Sequence, residues 1–190
     1  MRIIVAEDDP IILTGFSSML ESIGYEIVGQ AVDGESAARL IIELRPDLIL
    51  MDINMPKMDG ITVLEQVNKV QAIPCIIITG YRDEEQIKRA ANAGVYGYLH
   101  KPVDEYALRA EIEMVTQRHS AYCTLEKEKN QALNLLESRK LIERAKGIIM
   151  EKAKLSEADA YRFLQKKSRD KNLKLVDLAR DIINADELFK

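Results

Sequence analysis

The first 120 residues alternate short apolar runs with amphipathic segments, and this alternation occurs five times. In the amphipathic segments the apolar residues recur at helical spacing, and Asp83 with Gln86 predicts a capping box at the fourth helix. The apolar runs lie at 3–6, 26–31, 48–51, 75–79 and 95–100. Parallel strands need crossover connections, and a helix after each strand supplies them. The repeat therefore predicts an α/β fold with a five-stranded parallel sheet covered on both faces.

Polar residues follow four of the five predicted strands. Glu7 and Asp8 come after the first strand and Asp52 after the third. Thr79 ends the fourth strand, and Lys101 follows the fifth. The carboxyl ends of parallel strands share one edge of the sheet, where open α/β folds bind their ligands. We therefore expect these five side chains to meet.

Three carboxylates in one place repel each other, and their pKa values rise unless a cation neutralises them. A set of oxygen ligands without histidine or cysteine suits Mg²⁺, or alternatively Mn²⁺, shared with a phosphoryl group. Asp52 is then a candidate nucleophile, Lys101 a positive charge and Thr79 a hydroxyl donor. Each residue alone is more often a helix cap, a surface acid or a loop hydroxyl, but their joint occurrence favours phosphoryl transfer.

The same segments carry a family resemblance. Residues 1 to about 120 resemble the receiver domain of two-component response regulators, and no position of the family's motif set is missing. The matching segments are Glu7-Asp8, Asp52 to Gly60, Thr79-Gly80 and Lys101-Pro102. The resemblance implies a flavodoxin-like fold with the strand order 2-1-3-4-5.

The resemblance also implies roles for individual residues. Asp52 is expected to accept a phosphoryl group from a sensor histidine kinase, and Thr79 and Lys101 are expected to sense it. A cis peptide bond is expected between Lys101 and Pro102. Tyr98 falls at the aromatic switch position of the family, although a core aromatic is an equally good interpretation. The Mg²⁺ ligands implied are Glu7, Asp8, Asp52 and the backbone carbonyl of Asn54.

Charge and turn-forming residues divide the chain. Residues 1–120 contain 11 basic and 19 acidic residues, whereas residues 121–190 contain 16 and 12. All five prolines and eight of the nine glycines precede residue 103. This contrast predicts two domains with different partners. We assign residues 1–120 to the receiver domain, 105–138 to a coiled-coil linker continuous with its last helix, and 138–190 to a three-helix domain.

The linker is predicted as one long helix that begins near Asp104. Five of its residues follow heptad spacing, which predicts a coiled-coil seam and a homodimer; they are Leu108, Ile112, Val115, His119 and Tyr122. The polar stretch 126–131 interrupts this register before Leu133 and Leu136 restore an apolar face.

The last fifty residues predict a small helical bundle. Ser156 with Asp159 predicts the cap of its second helix. Asn172 ends that helix, and a third follows at 175–183. The expected core face of the second helix consists of Ala160, Tyr161, Phe163, Leu164 and the stem of Lys167.

Residues 139–174 contain twelve basic and five acidic residues, a net charge of +7. Such a surface suits a phosphate backbone, although charge alone fits a solvated helical face equally well. The segments Arg139 to Met150, Leu155 to Ser168 and Leu175 to Ala179 resemble the ANTAR domain, an RNA-binding antitermination module. The RNA contacts that we assign are Arg139, Lys140, Arg144, Lys146, Lys166, Lys167, Arg169 and Lys171.

The sequence thus predicts a phosphorylation-controlled transcription antiterminator that binds RNA hairpins and dimerises on phosphorylation. A DNA-binding response regulator is the alternative, because the loop before Ser156 could belong to a helix-turn-helix. An aspartyl-phosphate phosphatase would need a second carboxylate where the chain has Asn54, so we expect self-phosphorylation rather than enzymatic turnover. The chain has no apolar run long enough to span a membrane, and it turns acidic too early for a signal peptide, which predicts a cytosolic protein. Its two cysteines are isolated, so no disulfide is expected.

Overall fold

A computed structural model of the chain describes residues 1–80 and 84–188. The capping box predicted at Asp83 lies outside these residues. The elements of the first half are β1 (Arg2–Ala6), α1 (Pro10–Ser22), β2 (Glu26–Ala31), α2 (Gly34–Leu44), β3 (Leu48–Asp52), α3 (Gly60–Val67), β4 (Cys75–Thr79), α4 (Glu84–Asn92) and β5 (Gly97–His100). Three helices follow, namely α5 (Glu105–Ala153), α6 (Glu157–Asp170) and α7 (Leu175–Leu188).

The chain forms two compact units, Met1–Cys123 and Thr124–Lys190, and α5 begins in the first and ends in the second. In the first unit the five strands are parallel and lie in the order β2-β1-β3-β4-β5, so the expected fold is confirmed. Every residue of β3 and β4 is buried, as is typical of central strands covered on both faces.

Each face of the sheet has its own hydrophobic core. One core joins the sheet to α2, α3 and α4, and the other joins it to α1 and the start of α5. Leu108, Ile112 and Val115 belong to the second core and are at most 1% exposed. The prediction that these three form a seam between copies is therefore wrong. The heptad pattern does not identify the packing partner, because a helix packed on a sheet shows the same spacing of three and four residues.

The second unit is a helical bundle made by the end of α5 with α6 and α7. Its core consists of Ala145, Ile149, Ala160, Leu164, Leu178, Ala179 and Ile183. Ser156 caps α6 as predicted, because its hydroxyl accepts the Asp159 N–H at 3.2 Å. The expectation that Tyr161 and Phe163 belong to the core is wrong, since they are 39% and 42% exposed. They flank the buried stripe of Ala160 and Leu164, which lie one turn apart.

Within the described ranges, the helices lack any stretch with the length and apolarity that a membrane crossing requires.

Candidate functional site

Three carboxylates meet at the carboxyl edge of the sheet, as the strand order requires. Glu7 and Asp8 follow β1, and Asp52 ends the adjacent strand β3. One oxygen from each of the three lies within 4.8 Å of the others. Glu7 and Asp52 are only 2% and 7% exposed, while Asp8 faces solvent. Such a set of oxygens, open on one side, has the chemistry of a Mg²⁺ site.

Lys101 places its ammonium group between two of these acids. Its Nζ lies 2.7 Å from Glu7 Oε2 and 2.5 Å from Asp52 Oδ2. The lysine is positioned by its backbone N–H, which donates to the Thr79 carbonyl at 2.9 Å, and the peptide bond to Pro102 is cis, as expected. Burial lowers the pKa of Lys101, but the hydrogen bonds to Asp52 and Glu7 outweigh it and raise the pKa overall. The ammonium group therefore stays charged.

Glu7 shows that one lysine does not fully balance the three acids. Its pKa is raised, first because burial penalises the charged carboxylate and then because Asp52 repels it. The hydrogen bond from Lys101 opposes both effects without cancelling them. The site therefore favours additional positive charge, which a divalent cation would supply.

The loop between β3 and α3 closes tightly over the end of the strand. The Asn54 N–H donates to Asp52 Oδ1 at 3.1 Å, and the Gly60 N–H donates to the Ile53 carbonyl at 2.8 Å. A Cβ at Gly60 would lie 2.3 Å from the Asp52 carbonyl oxygen, so only glycine fits there. This loop orients the Asp52 carboxylate and holds the Asn54 backbone beside it.

The start of α2 holds the same loop from the other side. Asp33 accepts the Ser36 N–H at 2.8 Å and lies 2.9 Å from Lys57 Nζ. These contacts, first the Ser36 hydrogen bond and then Lys57, lower the pKa of Asp33 to about 2. The Gly34 N–H donates to the Pro56 carbonyl at 3.2 Å. The sequence does not reveal this contact, because Asp33-Gly34 by itself indicates only a turn.

The remaining predicted receiver residues lie on β4 and β5. Thr79 is fully buried at the end of β4, one residue beyond the partner of Asp52 in the β3–β4 pairing. Tyr98 is half-buried on β5, and its backbone N–H donates to Glu111 Oε1 at 3.2 Å. The structure thus positions both residues on the two strands that follow Asp52 across the sheet.

Comparisons with known proteins identify two families in this chain. The family model of the response regulator receiver domain matches residues 3–113, and that of the ANTAR domain matches residues 130–183. Over 182 residues the chain is 34% identical to the transcriptional regulatory protein PdtaR of Mycobacterium tuberculosis, covering 96% of this chain and 89% of PdtaR. The chain belongs to the response regulators with an ANTAR domain.

The first unit of this response regulator is also similar to solved receiver structures. The receiver domain of a modulated diguanylate cyclase from Desulfovibrio desulfuricans G20 is 32% identical with a TM-score of 0.60, and the match covers 64% of this chain and 97% of that one. CheY of the CheX–CheY–BeF3–Mg complex from Borrelia burgdorferi is 25% identical with a TM-score of 0.58, covering 60% and 88%.

In the second unit, one of the eight predicted RNA contacts is buried. Lys146 is 8% exposed, and its Nζ lies 2.8 Å from Glu143 Oε2 and 2.8 Å from Glu157 Oε1. The hydrogen bonds to Glu143 and Glu157 raise the pKa of Lys146, and the ammonium also lies 5.9 Å from the Tyr161 ring centroid. In this arrangement Lys146 joins α5 to the start of α6 rather than facing solvent.

The other seven predicted contacts are exposed. Arg144 lies 2.7 Å from Glu187, Arg169 donates to the Gln165 carbonyl at 3.4 Å, and Lys167 lies 5.8 Å from the Phe163 ring centroid. Arg144 has the ion pair among these seven, and four of the others have no side-chain contact described, namely Arg139, Lys140, Lys166 and Lys171. These cations lie on α5, on α6 and at the end of α6, and their contact with RNA stays a prediction.

Proposed function

We propose that this response regulator is a transcription antiterminator that binds RNA hairpins under the control of Asp52 phosphorylation. The observation that carries the proposal is the presence, in one chain, of the carboxylate–lysine site and an ANTAR domain with exposed basic helices. The similarity to PdtaR along nearly the whole chain supports the same combination. An RNA partner would place this activity in the cytoplasm.

In the proposed reaction, an Asp52 oxygen attacks the phosphorus atom of a phosphohistidine on a sensor histidine kinase. The new O–P bond forms as the P–N bond breaks, and the imidazole leaves with the electron pair. Lys101, already in contact with Asp52, would pair with a phosphoryl oxygen, and the Thr79 hydroxyl would donate to another. Tyr98 is the proposed switch residue.

The acids at the sheet edge fit a bound Mg²⁺, which would neutralise charge on the phosphoryl oxygens. We propose its ligands to be Glu7, Asp8, Asp52 and the backbone carbonyl of Asn54. The raised pKa of Glu7 and the open side of the cluster support this assignment. The similar CheY from Borrelia burgdorferi was solved as a complex that contains Mg, which is consistent with it.

Phosphate uptake from a small-molecule phosphodonor tests the receiver site. We expect Mg²⁺-dependent labelling of the wild type and none of Asp52→Asn, because the amide is a poor nucleophile. Glu43→Gln, an exposed acid on α2, serves as the control and should label normally. Undiminished Mg²⁺-dependent labelling of Asp52→Asn would show that the phosphoacceptor is elsewhere.

Gel shifts in defined salt distinguish RNA from DNA as the partner. We expect RNA hairpins to bind more tightly than duplex DNA, and the affinity to fall steeply with salt because phosphates are neutralised. Replacing the exposed Lys140 with alanine should flatten that dependence without changing Asp52 phosphorylation. Preferential binding of duplex DNA would instead support the DNA-binding alternative.

Phosphorylation is proposed to act through dimerisation, since two linked basic modules gain affinity by effective concentration. The seam must differ from the one predicted at the start of α5, which is buried. Leu125, Leu133 and Leu136 are 64%, 53% and 55% exposed on α5 and are the revised candidates. Sedimentation of both phosphorylation states tests this, and an unchanged mass with equal RNA affinity would refute it.

A further inference from the structure

A cavity of about 410 Å³ opens at the amino edge of the sheet in the first unit, opposite the edge that carries Asp52. This volume lies within the range of pockets that hold small organic groups. Its walls come from the residues just before β1, β3 and β4 and from one face of α5. The lining includes Pro46, Asp47, Ala72, Pro74, His119 and Cys123.

A thiol and an imidazole meet on the α5 side of this cavity. Cys123 Sγ lies 3.4 Å from His119 Nε2, and the two residues are one turn apart on the helix. Both are partly exposed, so a molecule in the cavity can reach them. A thiol hydrogen-bonded to a base is the arrangement that activates a cysteine as a nucleophile.

The imidazole is able to take the thiol proton. Burial lowers the pKa of His119, so the ring is neutral at pH 7. Its Nδ1 is buried without a hydrogen-bond partner among the residues that the structure describes, and thus no carboxylate of that set holds the ring in its charged form. The titratable neighbours are Asp47 on the cavity wall and Tyr96, whose ring centroid lies 5.1 Å from that of His119. With its proton on Nδ1, the ring presents Nε2 to the thiol as an acceptor.

The second cysteine of the chain has none of this surrounding chemistry. Cys75 is fully buried in β4, and burial raises the pKa of its thiol. A cysteine in apolar surroundings without access to solvent is inert. The two cysteines should therefore differ in reactivity, and Cys75 serves as an internal control.

We propose that Cys123 is a thiol–disulfide exchange site for low-molecular-weight disulfides, with His119 as its base and the cavity as the binding site of the half that stays attached. The Cys123 S–H gives its proton to His119 Nε2, and the sulfur attacks one sulfur of the disulfide. A new S–S bond to Cys123 forms as the old one breaks. The leaving thiolate takes the electron pair and then the proton from His119, so Cys123 is oxidised and the leaving half is reduced.

The cavity favours a disulfide over a peroxide as the reactant. An organic group attached to Cys123 needs room beside the sulfur, which the cavity supplies, whereas a single oxygen needs none. Because the cavity and Asp52 lie at opposite edges of the sheet, we expect the modification to leave phosphorylation of Asp52 unchanged. This inference does not depend on the proposed RNA binding.

The first test incubates the full-length protein with 2-hydroxyethyl disulfide and measures its mass. The wild type should gain one hydroxyethylthio group that dithiothreitol removes, and Cys123→Ser should gain none. Labelling of Asp52 by a small-molecule phosphodonor should be equal before and after the modification. A protein that gains no group, or a Cys123→Ser variant that gains one, would overturn the assignment.

The rate of exchange tests the base. His119→Gln keeps a polar side chain and should slow the reaction about ten-fold at pH 7, where an ordinary thiol is only a few per cent ionised. Near about pH 10 its rate should approach that of the wild type, because the thiol then ionises without a base. His100→Gln, which changes the exposed second histidine, should react normally at both pH values. Equal rates for His119→Gln and the wild type at pH 7, or a deficit that persists at high pH, would refute the role of His119 as a base.

A narrower cavity tests where the attached group binds. Ala72 is exposed on the cavity wall, so Ala72→Leu should fold normally and slow exchange with 2-hydroxyethyl disulfide several-fold. The same variant should be oxidised at Cys123 by hydrogen peroxide as fast as the wild type. Unchanged exchange in Ala72→Leu would show that the cavity does not hold the attached group, and rapid oxidation by peroxide without any exchange would overturn the choice of disulfides.

Discussion

Replacing Lys101 with alanine should destabilise the receiver unit by about 3 kcal/mol in buffer without Mg²⁺. The lysine lies between Glu7 and Asp52, whose nearest carboxylate oxygens are within 4.8 Å. At that distance two unit charges repel by about 3.5 kcal/mol at an effective dielectric constant near 20. Removing one partner of a buried ion pair costs about 3–5 kcal/mol, and the 20% exposure of the Lys101 side chain favours the lower end.

Two conditions should reverse this loss. Saturating Mg²⁺ should restore most of it, because the ion binds the folded state and replaces the missing charge. Acid should also reduce the difference from the wild type. The folded-state pKa of Glu7 lies above its ordinary value of 4.5. Between these two pKa values, the folded protein therefore binds more protons than the unfolded chain. The stability contribution of Glu7 is therefore greatest below pH 4.5 and is lost as the pH rises through the folded-state pKa.

Denaturant unfolding of both proteins, measured across pH with and without Mg²⁺, checks this reasoning. Lys69→Ala removes an exposed lysine of the same unit and should change stability by less than about 0.5 kcal/mol. A Lys101→Ala variant as stable as the wild type without Mg²⁺ would refute the predicted repulsion. A loss of the same size at every pH and Mg²⁺ concentration would refute it equally.

Three further predictions follow from individual contacts. Asp33→Asn should leave the fold intact, because asparagine still caps α2. It should weaken Mg²⁺ binding measured by titration, because asparagine cannot form the ion pair with Lys57 that holds the loop beside Asp52. Ile112→Ala should lower the unfolding free energy by about 2–5 kcal/mol independently of protein concentration, as expected for a core residue rather than a dimer seam. Ser156→Ala should destabilise the helical unit by about 1 kcal/mol in thermal unfolding.

The parallel sheet and its carboxylate cluster could be predicted from sequence because local patterns determine both, whereas the strand order was expected from the family resemblance. Buried parallel strands appear as apolar runs, and their connections follow from the helical spacing between them. Once the strands are parallel, residues after each strand share an edge. Glu7, Asp8, Asp52 and Lys101 are therefore predicted together, and the structure brings them together.

Other features depended on contacts between residues far apart in sequence. The Asp33–Lys57 pair spans 24 residues, and neither residue stands out by itself. By its sequence Lys146 looks like a surface cation. Glu143 on the same helix pairs with it, and Glu157 does so only because α6 packs against α5. The pattern of charges along the chain does not reveal that a glutamate from another helix completes the burial of this lysine.

The start of α5 shows the same limit most clearly. Sequence established that Leu108, Ile112 and Val115 share one helical face, because that face follows from 3.6 residues per turn. Only the tertiary structure decided that this face packs on the sheet rather than on a second copy. Periodicity specifies which residues are buried together, and the packing partner depends on the nearest apolar surface in the folded protein.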